Sequence, residues 1–332
     1  MKAFLIDRYG QHSGRIGEVP TPTVGAHDVL IEIHASSVNV LDSKIRTGEF
    51  KLILPYALPL ILGNDLAGVV VEVGPQVQRF KPGDEVYARP PETQIGTFAQ
   101  WIAVNEQAVA LKPANTSMIE AASIPLVALT AWQVLVQTAQ LKKGQKVLIH
   151  AGAGGVGTLA IQLAKHLGAF VATTTSTANV EWVKALGADQ VIDYTQQHFE
   201  DVLHGYDVVL NSLGDDVLKK SLQVLKPGGQ LISISGPPTL QFAQEQGLGW
   251  PLQQVMRLLS FGIQRKVRQR DVRYAFVFMR ADGAQLQQIT ALIEAGIIKP
   301  VVDRSFSFES TAEALQYVEQ GRTKGKVVVT IK

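Results

Sequence analysis

The sequence has 332 residues, which is long for one domain and comfortable for two. Apolar residues make up 46% and charged residues 18%, so we expect a globular protein with ample core; the net charge of +2 gives no reason to expect a nucleic-acid partner. Cysteine is absent, which excludes disulfides, thiolate chemistry and cysteine-built zinc sites, and agrees with a reducing compartment.

Location and partners are predicted from the same features. The opening residues, Met-Lys-Ala-Phe-Leu-Ile-Asp-Arg, place charges where a signal peptide needs its apolar segment. No run approaches the roughly 18 apolar residues of a membrane span. We interpret the densest basic stretch, residues 265–270, as a solvated segment. We therefore expect a cytoplasmic protein without a membrane partner.

The first part of the chain, up to about residue 122, has the pattern of a β domain. Short apolar or alternating runs are separated by turn residues, which suggests a small barrel or sandwich. The predicted strands include 3–6, 29–35, 69–73, 98–104 and 108–111, and the Pro-Gly turn within residues 80–86 leads back into a further strand.

From residue 119 onward, helical stretches alternate with short apolar strands. This alternation predicts a parallel, doubly wound sheet over residues 123–268. The predicted strands are 147–150, 170–174, 190–192, 208–211 and 230–233. After residue 268 we expect a strand (274–278), two helices and a final strand (326–331), and we predict that residues 269–332 rejoin the first domain because chain termini commonly lie together.

A glycine-rich turn follows the first strand of that sheet. Gly152, Gly154 and Gly157 give the pattern G-x-G-x-x-G between a predicted strand and a predicted helix. The first glycine permits the tight turn, the second lets backbone approach a pyrophosphate, and the third lets helix and strand pack closely. The helix N-terminus, with Gly155 and Val156, offers free N–H groups to the phosphates. An ordinary glycine-rich turn is the alternative, but the context favours a dinucleotide site.

Several motifs in this order resemble one superfamily. The β domain is followed by Leu129-Thr-Ala-Trp132, the glycine-rich loop, Gln162-Leu-Ala164 and Gly325-Lys-Val-Val-Val329. The chain resembles the medium-chain dehydrogenases/reductases, within their zinc-independent, quinone oxidoreductase-like (zeta-crystallin-like) branch. The resemblance implies an α/β protein with a GroES-like catalytic domain, a Rossmann domain, an active site in the cleft between them, and a homodimer.

The residue types at the family's zinc positions predict that no metal is bound. The places matching the two cysteines and the histidine of zinc-dependent relatives hold Asn39, Asn64 and Leu126, and leucine offers no ligand atom while asparagine is a poor one. The four-cysteine structural lobe is missing between residues 86 and 96, and the seven histidines show no metal-ligand spacing.

The preferred cofactor is predicted to be NADPH. The second strand of the sheet, residues 170–177, ends without an acid to hold a ribose 2′-hydroxyl, and the first acid is Glu181. Thr175 and, by resemblance, Ser176 and Tyr194 would contact the 2′-phosphate. Val180 stands where some relatives carry a lysine, so we expect Lys324 or Lys326 to compensate. The alternative is that the threonines are simply good strand formers.

Resemblance also assigns the remaining site residues. It places Asn39, Asp42 and Lys44 near the nicotinamide and substrate as catalytic residues, although Asn39 and Asp42 would serve equally as a cap or turn. Phe50 and Asn64 would line the substrate pocket. Phe276 and Phe278 would close over the nicotinamide, with core packing as the alternative. The other predicted cofactor contacts are Thr130, Asn211, Leu213, Ser235 and Gly236.

The function expected from these features is NADPH-dependent reduction of a quinone or an α,β-unsaturated carbonyl. A conjugated acceptor delocalises the added electrons and so needs less electrophilic help than a simple ketone. The rivals are an enoyl-thioester reductase and a crystallin-like protein that binds the cofactor without turnover. Enoyl-thioester reductases of this superfamily carry a tyrosine where this chain has Phe50, and phenylalanine can donate no proton.

Overall fold

The computed structural model describes residues 1–332 and divides into two compact units. Unit 1 comprises Met1–Leu129 and Arg280–Lys332, and unit 2 comprises Thr130–Met279. No helix is long and apolar enough to cross a membrane. The strands are β1 (Lys2–Ile6), β2 (Arg15–Glu18), β3 (Asp28–Val38), β4 (Leu60–Ile61), β5 (Leu66–Val73), β6 (Glu85–Ala88), β7 (Trp101–Asn105), β8 (Val109–Leu111), β9 (Lys146–Ile149), β10 (Phe170–Thr175), β11 (Gln190–Asp193), β12 (Tyr206–Asn211), β13 (Leu225–Ser233), β14 (Arg273–Phe276), β15 (Val302–Ser307) and β16 (Lys326–Thr330).

In unit 1 the helix Met118–Ala122 packs against β3, β5 and β16, and the helices of unit 2 alternate with its strands. A π-helical segment, Gln133–Thr138, follows the third helix. The helices are α1 (Val40–Thr47), α2 (Met118–Ala122), α3 (Pro125–Trp132), α4 (Gly155–His166), α5 (Val180–Ala185), α6 (Phe199–Val202), α7 (Asp215–Ser221), α8 (Leu240–Glu245), α9 (Trp250–Gln269), α10 (Gly283–Glu294) and α11 (Thr311–Glu319).

Unit 1 is built from two sheets. A three-stranded sheet has the order β2-β1-β4, and a larger sheet has the order β15-β16-β3-β5-β6-β8, with β7 also pairing with β3. Strand β3 is the centre of the larger sheet, and Val29, Ile31 and Ile33 are fully buried there at the spacing of two residues expected for one face of a strand. The C-terminal strand β16 pairs antiparallel with the end of β3, so residues from the two ends of the chain share one sheet.

Unit 2 is a six-stranded parallel sheet with the order β11-β10-β9-β12-β13-β14. This order reverses between β9 and β12, and ligands of open α/β sheets bind outside the carboxyl ends of the strands at such a point. The buried side chains of Leu148, Val209 and Leu231 form part of its core. The fold class predicted from the sequence, a β domain together with a doubly wound parallel sheet, is confirmed.

The domain limits differ from those expected. We predicted that the first domain resumes at residue 269, but β14 pairs parallel with β13, Leu231 opposite Tyr274 and Ile232 opposite Ala275. This pairing makes β14 the sixth strand of unit 2, so unit 1 resumes only at Arg280. The first limit also moves, from residue 122 to Leu129.

Candidate active site

The glycine-rich loop of unit 2 begins with a backbone reversal directly after β9. Ala151 has a φ of 54°, and the N–H of Gly152 donates to the carbonyl of Thr174 on β10 (2.9 Å). Gly154 precedes the first turn of α4, which begins at Gly155. Strand, loop and helix therefore occupy the places that the glycine pattern predicts.

The three glycines of the motif differ in the space available for a side chain. A Cβ atom on Gly152 would lie 2.2 Å from Thr173 Oγ1, and one on Gly157 would lie 2.3 Å from the carbonyl oxygen of Ala151. At Gly154 a Cβ atom would meet only that oxygen, at 3.3 Å. Close packing within unit 2 thus accounts for the first and third glycines, whereas Gly154 borders open space that a pyrophosphate could fill.

The start of α4 supplies hydrogen-bond donors to that space. No side chain caps the helix N-terminus, and the amide groups of Gly155, Val156 and Gly157 fall in its first turn, where they have no partner within the helix. The aligned peptide dipoles add a partial positive charge at the same end. The loop therefore fits a dinucleotide by the two criteria a phosphate imposes, namely access to backbone and uncompensated N–H groups.

The end of β10 differs in part from the sequence prediction. Thr175 is 3% exposed, because a parallel sheet covered on both faces buries successive side chains. We had expected the Thr175 hydroxyl to contact the 2′-phosphate, but it is buried in the sheet. Ser176 is half-buried and Tyr194 is 61% exposed, which leaves both able to meet a ligand. The Tyr194 N–H donates to the Thr175 carbonyl (3.1 Å) and so places the tyrosine next to the strand end.

An acid that the sequence analysis overlooked stands beside this strand end. Asp193 on β11 lies opposite Thr175 in the sheet register. Its carboxylate accepts hydrogen bonds from the hydroxyls of Thr177 (2.6 Å) and Thr195 (2.8 Å), and the bond from Thr177 is the main reason that its pKa is lowered. Register between neighbouring parallel strands, not position along β10, brings this carboxylate close.

The loops after β12 and β13 are joined by hydrogen bonds. The amide of Asn211 donates to the Leu213 carbonyl (2.9 Å) and to Ser233 Oγ (3.2 Å), while Ser235 Oγ donates to that same carbonyl (2.7 Å). Gly236 donates its N–H to Ser233 Oγ (2.8 Å). Asn211 is fully buried, so its side chain fixes the shape of this edge. We had expected Asn211 to face the cofactor.

Aromatic residues lie at the same end of unit 2. Phe276 and Phe278 are half-buried and pack against Phe242 of α8, with ring centroids 5.0 and 6.1 Å apart. Phe276 pairs in register with Ser233, which places it at the carboxyl edge of the sheet. Thr130 is buried on α3. Packing explains both phenylalanines in part, and their contact with a nicotinamide stays a prediction.

His150, at the end of β9, is a satisfied core residue. Its ring nitrogens lie 3.2 Å from Thr174 Oγ1 and 2.9 Å from Ser221 Oγ. Burial lowers its pKa to about 3, so the imidazole is neutral at physiological pH.

Unit 1 contains a buried polar cluster, made of Asn39, Asp42, Asn64, Asp65, Arg89 and Lys326. Asp42, which is fully buried, accepts hydrogen bonds from the backbone N–H of Asn39 (2.7 Å) and from the side-chain amide of Asn64 (2.6 Å). Desolvation raises the pKa of Asp42 to about 6. Because the Asp42 carboxylate faces these two residues and no solvent, Asp42 positions Asn39 and Asn64. Contrary to our prediction, its carboxylate does not face a substrate.

The charge centre of the cluster is the pair formed by Lys326 and Asp65. The Lys326 ammonium donates to the Val38 carbonyl (3.0 Å) and to Asn39 Oδ1 (2.5 Å), and lies 3.4 Å from Asp65 Oδ2. The amide of Asn39 donates to that same carboxylate oxygen (2.8 Å). Our sequence prediction that Lys326 holds the 2′-phosphate is therefore wrong, since all three ammonium donors are engaged in a buried site. Lys324 is exposed, and its role stays a prediction.

The Asp65 carboxylate also accepts a hydrogen bond from the backbone N–H of Leu126 (2.7 Å). The three places matched to zinc ligands in relatives, Asn39, Asn64 and Leu126, are therefore all bonded to a carboxylate of this cluster. The structure contains no group of three or more His, Cys, Asp or Glu side chains that could hold a metal ion. The amide donors of Asn39 and the ammonium donors of Lys326 are engaged within the cluster, so these groups fix its geometry.

Lys44 and Phe50 lie together on the surface side of α1. The Lys44 ammonium is 3.3 Å from the Glu49 carboxylate and 5.8 Å from the centre of the Phe50 ring. Lys44 is 40% exposed and Phe50 half-buried, so both are accessible to a small molecule. The structure brings these two predicted residues together, apart from the buried cluster.

Sequence reasoning missed Asp65 and Arg89 in unit 1. Arg89 is 1% exposed, forms an ion pair with Glu92 (3.0 Å) and approaches Asn64 Oδ1 at 3.5 Å. Asp65 directly precedes β5 and Arg89 directly follows β6, but the strands predicted from the sequence begin at residue 69 and end at residue 86 and so do not extend to either charge. Burial of that charge, which makes it informative, depends on pairing between distant strands.

Comparison with known families matches both parts of the chain. Residues 25–114 match the family described as alcohol dehydrogenase GroES-like domain, and residues 186–329 match the family described as zinc-binding dehydrogenase. The structure is similar to that of the quinone oxidoreductase from Coxiella burnetii, with a TM-score of 0.88, 30% sequence identity, and coverage of 100% of this chain and 99% of that one.

Two curated relatives are named as reductases. The chain is 38% identical to 2-methylene-furan-3-one reductase of Solanum lycopersicum over 324 residues, which is 94% of this chain and 74% of that protein. It is 36% identical over 344 residues to the NADPH-dependent alkenal/one oxidoreductase, chloroplastic, of Arabidopsis thaliana, covering 99% of this chain and 79% of that protein.

The glycine motif predicts a contrast between two alanine substitutions. Gly154→Ala should leave the thermal stability of the protein nearly unchanged and weaken NADPH binding by about tenfold or more, because the new methyl group enters the open space. Gly157→Ala should destabilise the protein, because its Cβ atom meets backbone. Thermal unfolding and fluorescence titration would measure both effects. The control is Gly262→Ala on α9, where a Cβ atom meets nothing; equal NADPH affinity in Gly154→Ala and this control would contradict the assignment.

The buried carboxyl of Asp42 predicts a pH-dependent stability. Its pKa is about 6 in the folded protein and about 3.9 in an unfolded chain, so the folded state holds more protons between these values. The contribution of Asp42 to the free energy of unfolding should therefore fall by up to about 3 kcal/mol as pH rises from about 4 to about 6. Urea unfolding at several pH values, with Asp42→Asn as reference, isolates this contribution. A wild-type minus variant difference that rises with pH would show that Asp42 stays ionised.

Proposed function

This chain belongs to the quinone oxidoreductase-like branch of the medium-chain dehydrogenase/reductase superfamily, and we propose that it reduces quinones or α,β-unsaturated carbonyls with NADPH and without zinc. The relatives are named as a quinone oxidoreductase, a 2-methylene-furan-3-one reductase and an NADPH-dependent alkenal/one oxidoreductase, and these names support an NAD(P)H-dependent oxidoreductase of the quinone/alkenal reductase type. The observation that carries the proposal is the side-chain set at the zinc-ligand places, where the two amides of Asn39 and Asn64 and the leucine Leu126 stand in place of thiolate and imidazole.

Binding of the nicotinamide dinucleotide is assigned to unit 2. The pyrophosphate would lie against Gly154 and the amides that begin α4, and the loops of Leu213 and Ser235 border the same edge of the sheet. When bound, the cofactor supplies the hydride. The protein side chains then have to orient the acceptor, stabilise the charge that develops on it and exclude water.

Preference for NADPH is supported by the polar, exposed groups after β10. Ser176 and Tyr194 are able to donate hydrogen bonds to a 2′-phosphate, and β10 itself carries no acid at its end. Asp193 is the one residue of β11 at this point whose negative charge would repel a 2′-phosphate. Its carboxylate oxygens already accept hydrogen bonds from the hydroxyls of Thr177 and Thr195. Those bonds hold the acid in place and reduce its ability to accept a ribose hydroxyl.

A conjugated acceptor suits a site that offers hydrogen bonds instead of a metal ion. Charge delocalised over a quinone or enone needs less stabilisation at any single oxygen than the alkoxide formed from a simple ketone. At two of the zinc-ligand places, the amides of Asn39 and Asn64 bond to the carboxylates of Asp65 and Asp42, so these positions support the fold of unit 1 and do not supply a metal-ligand set.

A single residue, Phe50, argues against the alternative function, which is enoyl-thioester reduction. Phe50, beside Lys44, replaces the tyrosine whose hydroxyl would donate a proton in such enzymes. A quinone can take its protons from water once reduced, so it loses less from this replacement. The homodimer and the cytoplasmic location stay predictions, as does catalytic turnover as opposed to binding alone.

The cofactor proposal predicts tighter binding of NADPH than of NADH in fluorescence titrations. Ser176→Asp should weaken NADPH binding by about tenfold, because a carboxylate repels the 2′-phosphate, and should leave NADH binding nearly unchanged. Ser176→Asn, which has the same size without the charge, is the matched control. Equal affinities of the wild-type protein for the two cofactors would contradict the proposal.

The acceptor proposal predicts a rate difference between two substrate classes. General acid catalysis typically contributes on the order of 10²–10⁴-fold, so kcat/KM for a simple quinone or small enone should exceed that for a crotonyl thioester by about 10²-fold. Phe50→Tyr should raise the rate on the thioester and leave the quinone rate unchanged, whereas Phe50→Leu, which adds no hydroxyl, should not. A wild-type protein faster on the thioester would favour the enoyl-reductase function.

A further inference from the structure

Helix α9 of unit 2 exposes most of its surface. Only Met256, Ser260, Ile263 and Val267, which recur at intervals of three and four residues along one narrow stripe, are buried. Large apolar side chains occupy the opposite side and face solvent. They are Trp250 (71% exposed), Val255 (46%), Leu258 (75%), Leu259 (56%) and Phe261 (64%). A surface helix of an ordinary domain carries polar residues at such positions, so this apolar face requires an explanation.

The charges on the same helix have one sign. From Gln246 to Arg270 the sequence contains no acidic residue, and the last acid before Gln246 is Glu245. The basic residues are Arg257, Arg265, Lys266, Arg268 and Arg270, and all of them are exposed. The sequence analysis interpreted residues 265–270 as a solvated segment, but the structure places them on the same helix as the apolar face.

Apolar and basic side chains meet in one groove. Arg257, Phe261, Arg265 and Arg268 are spaced by three and four residues, so they project from one side of α9. Together with Leu240 of α8 and Tyr274 of β14 they line a groove of about 610 Å³. Guanidinium groups bind phosphate through paired hydrogen bonds, and the adjoining apolar side chains can contact hydrocarbon.

We propose that α9 docks this protein on the surface of a membrane that contains anionic phospholipids. Leu258 and Phe261 would enter the boundary between headgroups and acyl chains, and Arg257, Arg265 and Arg268 would contact lipid phosphates. Trp250, at the start of the helix, has the amphipathic ring that is enriched at this depth. The helix lies on the surface and does not span, because its basic residues recur through the C-terminal half.

Charge decides between this partner and a second copy of the chain. Pairing two α9 faces would oppose one basic surface to another without a carboxylate on either helix to compensate. An anionic lipid surface has the complementary charge and a mobile apolar layer in contact with it. A membrane surface also concentrates hydrophobic quinones and enones, but the docking proposal does not depend on the proposed function.

Sedimentation with lipid vesicles tests the proposal on the full chain. The protein should bind vesicles of phosphatidylcholine with phosphatidylserine, bind vesicles of phosphatidylcholine alone at least about tenfold more weakly, and dissociate as salt is raised. Leu258→Ser with Phe261→Ser should reduce binding by about tenfold or more, as should Arg257→Gln, Arg265→Gln and Arg268→Gln together. Thermal unfolding of both variants should match that of the wild-type protein, which shows that they are folded.

Two controls match these variants. Val71→Ser with Val202→Ser removes exposed apolar side chains elsewhere, and Lys142→Gln, Lys143→Gln and Arg322→Gln together remove the same charge. Both controls should bind like the wild-type protein. Failure of the wild-type protein to bind anionic vesicles would overturn the proposal, and so would equal loss in the controls. If sedimentation velocity shows that the Leu258/Phe261 variant converts a dimer to a monomer while vesicle binding is absent, the face joins two copies of the chain instead.

Discussion

The structure of unit 1 depends on one buried ionic contact, between the Lys326 ammonium and the Asp65 carboxylate. Lys326 is the first residue of the C-terminal strand β16, and Asp65 directly precedes β5 near the N-terminal end of the chain. Removing one member of a buried pair leaves an uncompensated charge, which typically costs about 3–5 kcal/mol. Asn39 is held between the two ions, so its orientation and the pairing of β16 with β3 depend on the same contact.

The polar groups of the two units differ in how they are satisfied. In unit 1, the side chains of Asn39, Asp65 and Lys326 bond to one another and to nearby backbone, so their orientations are fixed. In unit 2, the N–H groups that begin α4 have no partner within the helix. Packing holds the loop beside them, because a Cβ atom on Gly152 or Gly157 would lie less than 2.5 Å from a neighbouring atom.

The fold and the nucleotide loop could be predicted from local sequence because their signals are local. Strand, glycines and helix follow one another in residues 146–166, and periodicity identifies most strands without reference to partners. The polar cluster could not be predicted, because Asn39, Asp65 and Lys326 meet only through the pairing of β3, β5 and β16. Lys326 was assigned to a phosphate for this reason, as its burial cannot be read from Gly325-Lys-Val. Asp193 was missed similarly, since register between β10 and β11 sets its position.

Reduction of a conjugated acceptor by NADPH without a metal ion is the proposal on which the other assignments rest. It is tested by the rate of NADPH oxidation with a simple quinone before and after treatment with a zinc chelator, on protein whose zinc content has been determined by elemental analysis. We expect no stoichiometric zinc and an unchanged rate. Stoichiometric zinc, together with loss of activity on chelation and recovery on adding zinc back, would overturn the proposal.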